Sequence, residues 1–198
     1  MAEGAGNQGT RVLNPPLGVE LCCHRSRLAA LMADNDIPQP PATGRHGYWL
    51  KRADTSAQSA GDIRFCAGQR ELAAALADFG RRGIADHLVQ AHVQGDLVKF
   101  YGVLGTGFFR HYYPGDDGIT KMGDEMRNGT PHHYTFAPAD LQSAAGRLAD
   151  LAAVPVYGGD AIIRPDGTFV IIDFNDWPSF ARCREAAAGA IVDLATHR

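Results

Sequence analysis

Residues 156–180 read VYGGDAIIRPDGTFVIIDFNDWPSF, in which Asp160, Asp173 and Asn175 are hard oxygen donors set into apolar surroundings. Pro165-Asp166-Gly167 is a turn signal between two β-like runs. With Asp166-Gly167 as a two-residue loop, Pro165 pairs with Thr168, and counting back places Asp160 opposite Asp173. A four-residue loop keeps this register, and a three-residue loop shifts it by one. Side chains alternate along a strand, so Asn175 shares the face of Asp173. Two carboxylates facing each other across a hairpin repel unless something positive lies between them. Two acids and an amide with no soft ligand nearby suit Mg2+ or Mn2+ better than zinc. The same residues could also simply cap a strand and open a turn.

Two lysines extend the pattern. Lys51 interrupts the short apolar run YWLKR, and Lys99 sits inside DLVKFYGVL. A lysine within a strand ordinarily points to solvent, but a pair of them beside an acid pair is what a polyphosphate and its metal require. The loop after Lys51, ADTSAQSAG, carries small side chains that let backbone N–H groups approach phosphate. It is not a Walker A loop, and no Rossmann glycine fingerprint occurs. Arg110, Arg164 and Arg182 are candidates for stabilising a transferred phosphoryl group, and spacing does not choose among them. The clustered Arg110, Arg182 and Arg184 suit either a polyanionic acceptor or a solvated face. The turn Trp177-Pro178-Ser179 could present a hydroxyl to an anion at a helix N-terminus, or serve as a cap.

Those groups must be positioned by a chain of 198 residues, enough for one domain or two small lobes sharing a core. Its 45% apolar and 21% charged residues are ordinary for a globular protein, and its net charge of −3 favours neither nucleic acid nor an anionic membrane. No apolar run approaches the ~20 residues that span a bilayer. The N-terminal stretch lacks a secretory h-region, and residues 1–20 are expected to be disordered or loosely packed. The 4 cysteines have no paired metal spacing, which fits reduced thiols in the cytoplasm.

Apolar periodicity predicts helices over 25–33, 69–81, 138–152 and 180–194. Strands are expected at 48–52, 63–66, 86–93, 96–104 and 107–113, followed by the two runs that flank residues 165–167. The stretch 114–136, with His132-His133, has no period and reads as a functional loop. Strands outnumber simple crossovers, so the fold class is α+β with mainly antiparallel pairing.

This order of parts resembles the ATP-grasp superfamily. HRSRLAALMADNDIPQPPAT looks like its opening helix, YWLK like the strand whose lysine binds phosphates, LVQAHVQGD like the adenine hinge, and VYGGD with VIIDFNDWPSF like the metal-binding strands. LVKFYGV and DFNDWPSF are most similar to the ribosomal-protein glutamate ligase and inositol trisphosphate kinase branches. The resemblance implies two antiparallel α+β lobes with the nucleotide between them, the smaller over about 40–90 and the larger over about 91–198, within an ATP-grasp domain of 21–198. It implies ATP and Mg2+ (or Mn2+) as cofactors. Arg25, Lys51, Lys99, Gln90, Ala91, His92 and Val93 would hold ATP, and Asp160, Asp173 and Asn175 the metal. Catalysis would rest on Lys99, Arg110 and Arg164.

The chemistry implied first is carboxylate–amine ligation on a small anionic substrate. Kinase action and non-catalytic ATP binding are the alternatives. Relatives carry a further N-terminal domain that completes the substrate site, so either a homodimer or a partner subunit is expected to supply that wall, or the substrate site is open. Ligases of the superfamily have an arginine just before the first metal aspartate, where this chain has Gly158-Gly159.

Overall fold

A computed structural model of the protein describes residues 12–114, 116 and 127–196. Five α-helices and seven strands form two antiparallel sheets among these residues. The smaller lobe is built on β1 (Tyr48–Arg52), which lies between β2 (Ile63–Cys66) and β3 (His87–Ala91). Alternation along β1 sends Tyr48 and Leu50 into a core closed by α3 (Gln69–Arg81), whose Leu72, Ala75 and Phe79 recur at helical spacing. Trp49 and Lys51 therefore point the other way, toward the larger lobe.

The larger sheet has the order β5-β4-β6-β7, with β4 (Asp96–Val103), β5 (Phe108–Tyr112), β6 (Val156–Ile163) and β7 (Phe169–Asp176). One face buries Val98, Phe100, Ile171 and Phe174 against α2 (Arg25–Asp34) and α4 (Pro138–Leu151). The opposite face is covered from Tyr101 and Val103 onward by Phe180 and α5 (Arg184–Thr196). The rest of that face, where Lys99 and Asp160 lie, is left to line a cavity between the lobes. No helix among the described residues is long and apolar enough to cross a membrane.

Two sequence expectations need correction. The last helix begins at Arg184 rather than near 180, because Phe180 has a left-handed backbone (φ 49°) that cannot open an α-helix. Residues 1–20 were expected to be loose. Positions 1–11 lie outside the described residues, but α1 (Pro16–Cys23) is a packed helix. Pro16 at its first position needs no donor. Ahead of it, the Asn14 amide donates to Val156 O (2.8 Å) and accepts from Val156 N (3.0 Å). The helix has no apolar stripe that a periodicity argument could find.

Gly18 is the contact point of α1. A Cβ there would lie 2.7 Å from Ala152 O and 2.9 Å from Val154 Cγ2. Gly18→Ala should therefore lower unfolding stability by roughly 1–3 kcal/mol through overpacking. Gly189→Ala in α5, where a Cβ meets nothing within 4 Å, should instead raise it by about 0.4–1 kcal/mol. Urea unfolding of the two variants checks both signs, and equal effects would mean that α1 is not docked.

Candidate functional site

The acid pair is made by an irregular hairpin. The turn is a three-residue loop, Pro165-Asp166-Gly167, closed by Arg164 N donating to Thr168 O (2.8 Å), with Gly167 at φ 81°. That loop pairs Ile163 with Phe169, Ile162 with Val170 and Ala161 with Ile171, one residue off the register that puts the acids opposite each other. A β-bulge at Ile172 restores it, and Asp160 pairs with Asp173 after all. The bulge also sets the faces. Ile171 and Phe174 are both buried in the core, while Ile172 and Asp173 both line the cavity. Without the extra residue Asp173 would share the face of Ile171 and enter the core. The Asn175 amide donates to Asp173 Oδ2 at 3.2 Å, on the same face.

Each acid has a cationic neighbour, so the bare repulsion expected from the sequence does not arise. Lys99 pairs with Asp160 across β4 and β6, and its ammonium lies 3.2 and 3.4 Å from the two carboxylate oxygens. Lys51 reaches from the smaller lobe and donates to Ile172 O at 2.7 Å, using the carbonyl of the bulge residue. Only 8% of Lys51 is exposed. Burial pulls its pKa below the ordinary lysine value, Asp173 opposes this, and Arg25 adds to the lowering. Arg25, at the start of α2, donates to Arg52 O (3.2 Å) and Thr55 O (3.5 Å), joining that helix to the loop after β1.

The other end of the cavity is a strand end and its aromatic neighbours. Gln90, Ala91, His92 and Val93 line it together with Trp49. Trp49 Nε1 donates to His92 Nδ1 (3.2 Å), and burial together with Arg127 and His46 lowers the His92 pKa, so the ring is a neutral acceptor there. Gln90 is buried (6% exposed) and its Oε1 has no hydrogen-bond partner among the described residues. An orphaned carbonyl on the cavity wall calls for a donor from a ligand. Sequence reasoning missed Arg127 and Asn128, which also line this end. Arg127 lies 3.8 Å above the Phe65 ring, and Asn128 Nδ2 donates to Val93 O at 3.1 Å. They belong to the stretch 114–136 that has no period, and only contacts with Phe65 and Val93 tie them to this end of the cavity. Trp49 was legible, since alternation puts it on the Lys51 face.

The cavity is about 400 Å3. It collects Arg25, Lys51 and Lys99, the strand-end residues 90–93, and both aspartates. It does not collect Arg110 or Arg164, and Asn175, exposed and bonded to Asp173, lies outside the lining as well. Arg110 is exposed, donates to Phe109 O and lies over the Phe108 ring, and Arg164 sits at the hairpin tip bonded to Thr168. Arg182 is committed to Tyr113 O and Pro114 O. Ser179 precedes no helix directly, because α5 starts later. His132 is tied through its backbone N–H to the buried Asp96 (2.8 Å), and His133 pairs with Asp116 at 3.2 Å. Gly158-Gly159 have no room for a side chain. A Cβ would lie 2.7 Å from Pro178 Cγ at the first, and 2.3 Å from Asp173 O at the second.

The donor set fits a hard divalent cation. Among the described residues no three His, Cys, Asp or Glu side chains gather into a metal cage. Two carboxylates and one amide leave most of a coordination sphere to phosphate oxygens and water, which is how Mg2+ is commonly held.

No family model and no curated protein sequence matches the chain. Solved structures do. The D-alanine-D-alanine ligase of Coxiella burnetii aligns over 90% of this chain at TM-score 0.62 and 15% identity. A RimK domain ATP-grasp protein of Sphaerobacter thermophilus aligns over 96% at TM-score 0.63 and 20% identity. The ATP complex of a Bacillus anthracis D-alanine-D-alanine ligase aligns over 90% at TM-score 0.59 and 9% identity. The chain spans 58%, 72% and 67% of their respective lengths.

Lys51→Met removes a buried charge whose desolvation is unfavourable, so the ligand-free melting temperature should hold or rise slightly. The pH dependence has a definite sign. Lys51 has a folded pKa below the 10.5 of the free side chain, so the unfolded chain binds more protons between the two values. Wild-type stability should gain on the variant as pH rises toward 10.5. Denaturant titrations of both proteins at stepped pH measure this, and a wild-type advantage that shrinks over that range would show the ammonium to be stabilised by the fold.

Proposed function

We propose, from the premise that this chain has the ATP-grasp fold, that it is an ATP- and Mg2+-dependent carboxylate–amine ligase. The observation that carries the proposal is the convergence of Lys51, Lys99, Asp160 and Asp173 on one cavity of about 400 Å3 between the lobes. Two ammonium groups and a hard-donor acid pair match a polyphosphate with its cation, and little else of that size.

Bound ATP would supply the phosphoryl group that converts a substrate carboxylate into an acyl phosphate, which an amine then attacks with release of phosphate. Mg2+ held by Asp160, Asp173 and Asn175 would screen the phosphate charge. Lys51 is rigidly placed by burial and by its bond to Ile172 O, so its charge is oriented before the ligand arrives. Lys99 would exchange part of its pairing with Asp160 for phosphate oxygen, which leaves Asp160 available to the cation. Gln90 Oε1, buried and unpartnered, would accept from the exocyclic amine of adenine, and residues 91–93 would contribute backbone groups beside it. That amide favours a base bearing an amino group over one bearing a carbonyl.

Hydroxylamine traps acyl phosphates as hydroxamates. The enzyme with ATP, Mg2+ and a pool of small carboxylic acids should yield a hydroxamate, with ADP and free phosphate forming in step. A stable phosphoester formed without free phosphate would establish a kinase instead, and no turnover with tight ATP binding would establish a binding module.

A further inference from the structure

Asp62 is fully buried, yet it is a carboxylate and lies outside the cavity lining. The loop from Ala53 to Gly61 joins β1 to β2 and starts two residues after Lys51. Its side chains from Ser56 to Gly61 are exposed, so no apolar packing fixes its shape. What fixes it is Asp62, together with Arg82, which donates to Gly61 O (3.2 Å) and Ser59 Oγ (3.3 Å). The carboxylate accepts from Gln58 N at 2.8 Å, Ser59 N at 3.2 Å and Ser59 Oγ at 3.0 Å. From the opposite side it pairs with Arg82, the C-cap residue just after α3, and with Arg52 Nη1 at 3.8 Å. Arg52 in turn holds Asp54 at 2.5 Å through Nε, and its carbonyl receives Arg25.

The arrangement has an electrostatic logic. A carboxylate close to a polyphosphate site repels the ligand unless its charge is consumed. Here the loop's own N–H groups, Gln58 foremost, and the Arg82 guanidinium outweigh the cost of burial and hold the Asp62 pKa far below the usual carboxylate range. The ion pairs connect a helix of the smaller lobe to the loop, so the loop backbone is placed by the rigid part of the lobe and not by its exposed side chains.

We propose that Asp62 is the positioning residue of the phosphate-binding loop, anchoring residues 58 and 59 to α3 through Arg82 so that the remaining loop N–H groups are presented to nucleotide phosphates. This rests on the reading of the cavity as an ATP site. Asp62 touches no ligand itself and acts through the loop. Its removal should therefore weaken binding only for ligands that carry phosphates.

Calorimetric titration of ATP and of adenosine into wild type and Asp62→Asn tests this. The variant keeps its shape but loses the charge that holds both arginines. ATP affinity is expected to fall about tenfold, the scale of one charge-assisted hydrogen bond, with adenosine affinity unchanged. If Asp62→Asn does not fold, Ser59→Ala makes the same comparison, since it deletes the hydroxyl bond to Asp62 and the bond that hydroxyl accepts from Arg82, and leaves both arginines on Asp62. Its expected loss is about threefold, again for ATP alone. Equal losses for ATP and adenosine would overturn the assignment, because Asp62 would then merely support the lobe. Unchanged ATP binding beside a wild type that binds would also overturn it, alone. A wild type that binds neither ligand would sink the ATP reading and this assignment with it.

Discussion

The site depends on one unpaired residue, Ile172. A hairpin built on the three-residue loop Pro165-Asp166-Gly167 would carry Asp173 into the apolar core beside Ile171, where an ionised carboxylate cannot remain. The bulge reverses the face of every residue beyond it. Asp173 and Asn175 turn to the cavity side, and Phe174 turns to the core in their place. The same irregularity takes the Ile172 carbonyl out of the β6–β7 pairing, and that carbonyl receives the Lys51 ammonium from the other lobe. One inserted residue thus sets an acid, an amide and the anchor of a lysine.

The charges around the cavity are organised as pairs that a ligand could rearrange. Lys99 lies on Asp160, and both side chains keep 26% exposure, so neither is locked away. Lys51 is buried, held by a neutral carbonyl, with Asp173 acting on it through space. A buried ammonium with so little hydrogen bonding is unfavourable in the ligand-free protein. A polyanion would relieve that. The strand-end side of the cavity shows the same incompleteness in neutral form, as the unpartnered oxygen of Gln90. Two independent unmet demands, one for negative charge and one for a hydrogen-bond donor, lie in a single cavity.

Much of this was legible in the residues, and the parts that were not have physical reasons. Alternation in YWLKR and DLVKFYGV put Lys51 and Lys99 on the faces they occupy, and the stripe of α3 gave its span of Gln69–Arg81. The facing of Asp160 and Asp173 was expected from a two- or four-residue loop. It arises from a three-residue loop followed by a bulge, two shifts that cancel. A bulge among Val170, Ile171 and Ile172 leaves no mark in residue type, because each neighbour is an equally good strand former. Helix α1 escaped notice because PLGVELCC is apolar without a period, and its place is set by Gly18 against Ala152. Arg127 and Asn128 reach the cavity through tertiary contacts with Phe65 and Val93 that no local pattern encodes. Arg110 and Arg164 were charged residues near the expected site in sequence, and strand geometry carries them away from it.

The central claim is that Asp160, Asp173 and Asn175 share one cation with a nucleotide bound in this cavity. Paramagnetic broadening of backbone amide resonances by substoichiometric Mn2+, with ATP present, reads this out directly. The account predicts that Asp160 and the run from Ile172 to Asn175 broaden first, that the hairpin tip from Asp166 to Thr168 stays sharper, and that the effect weakens without ATP. Broadening centred on other acidic residues, or a pattern indifferent to ATP, would contradict it.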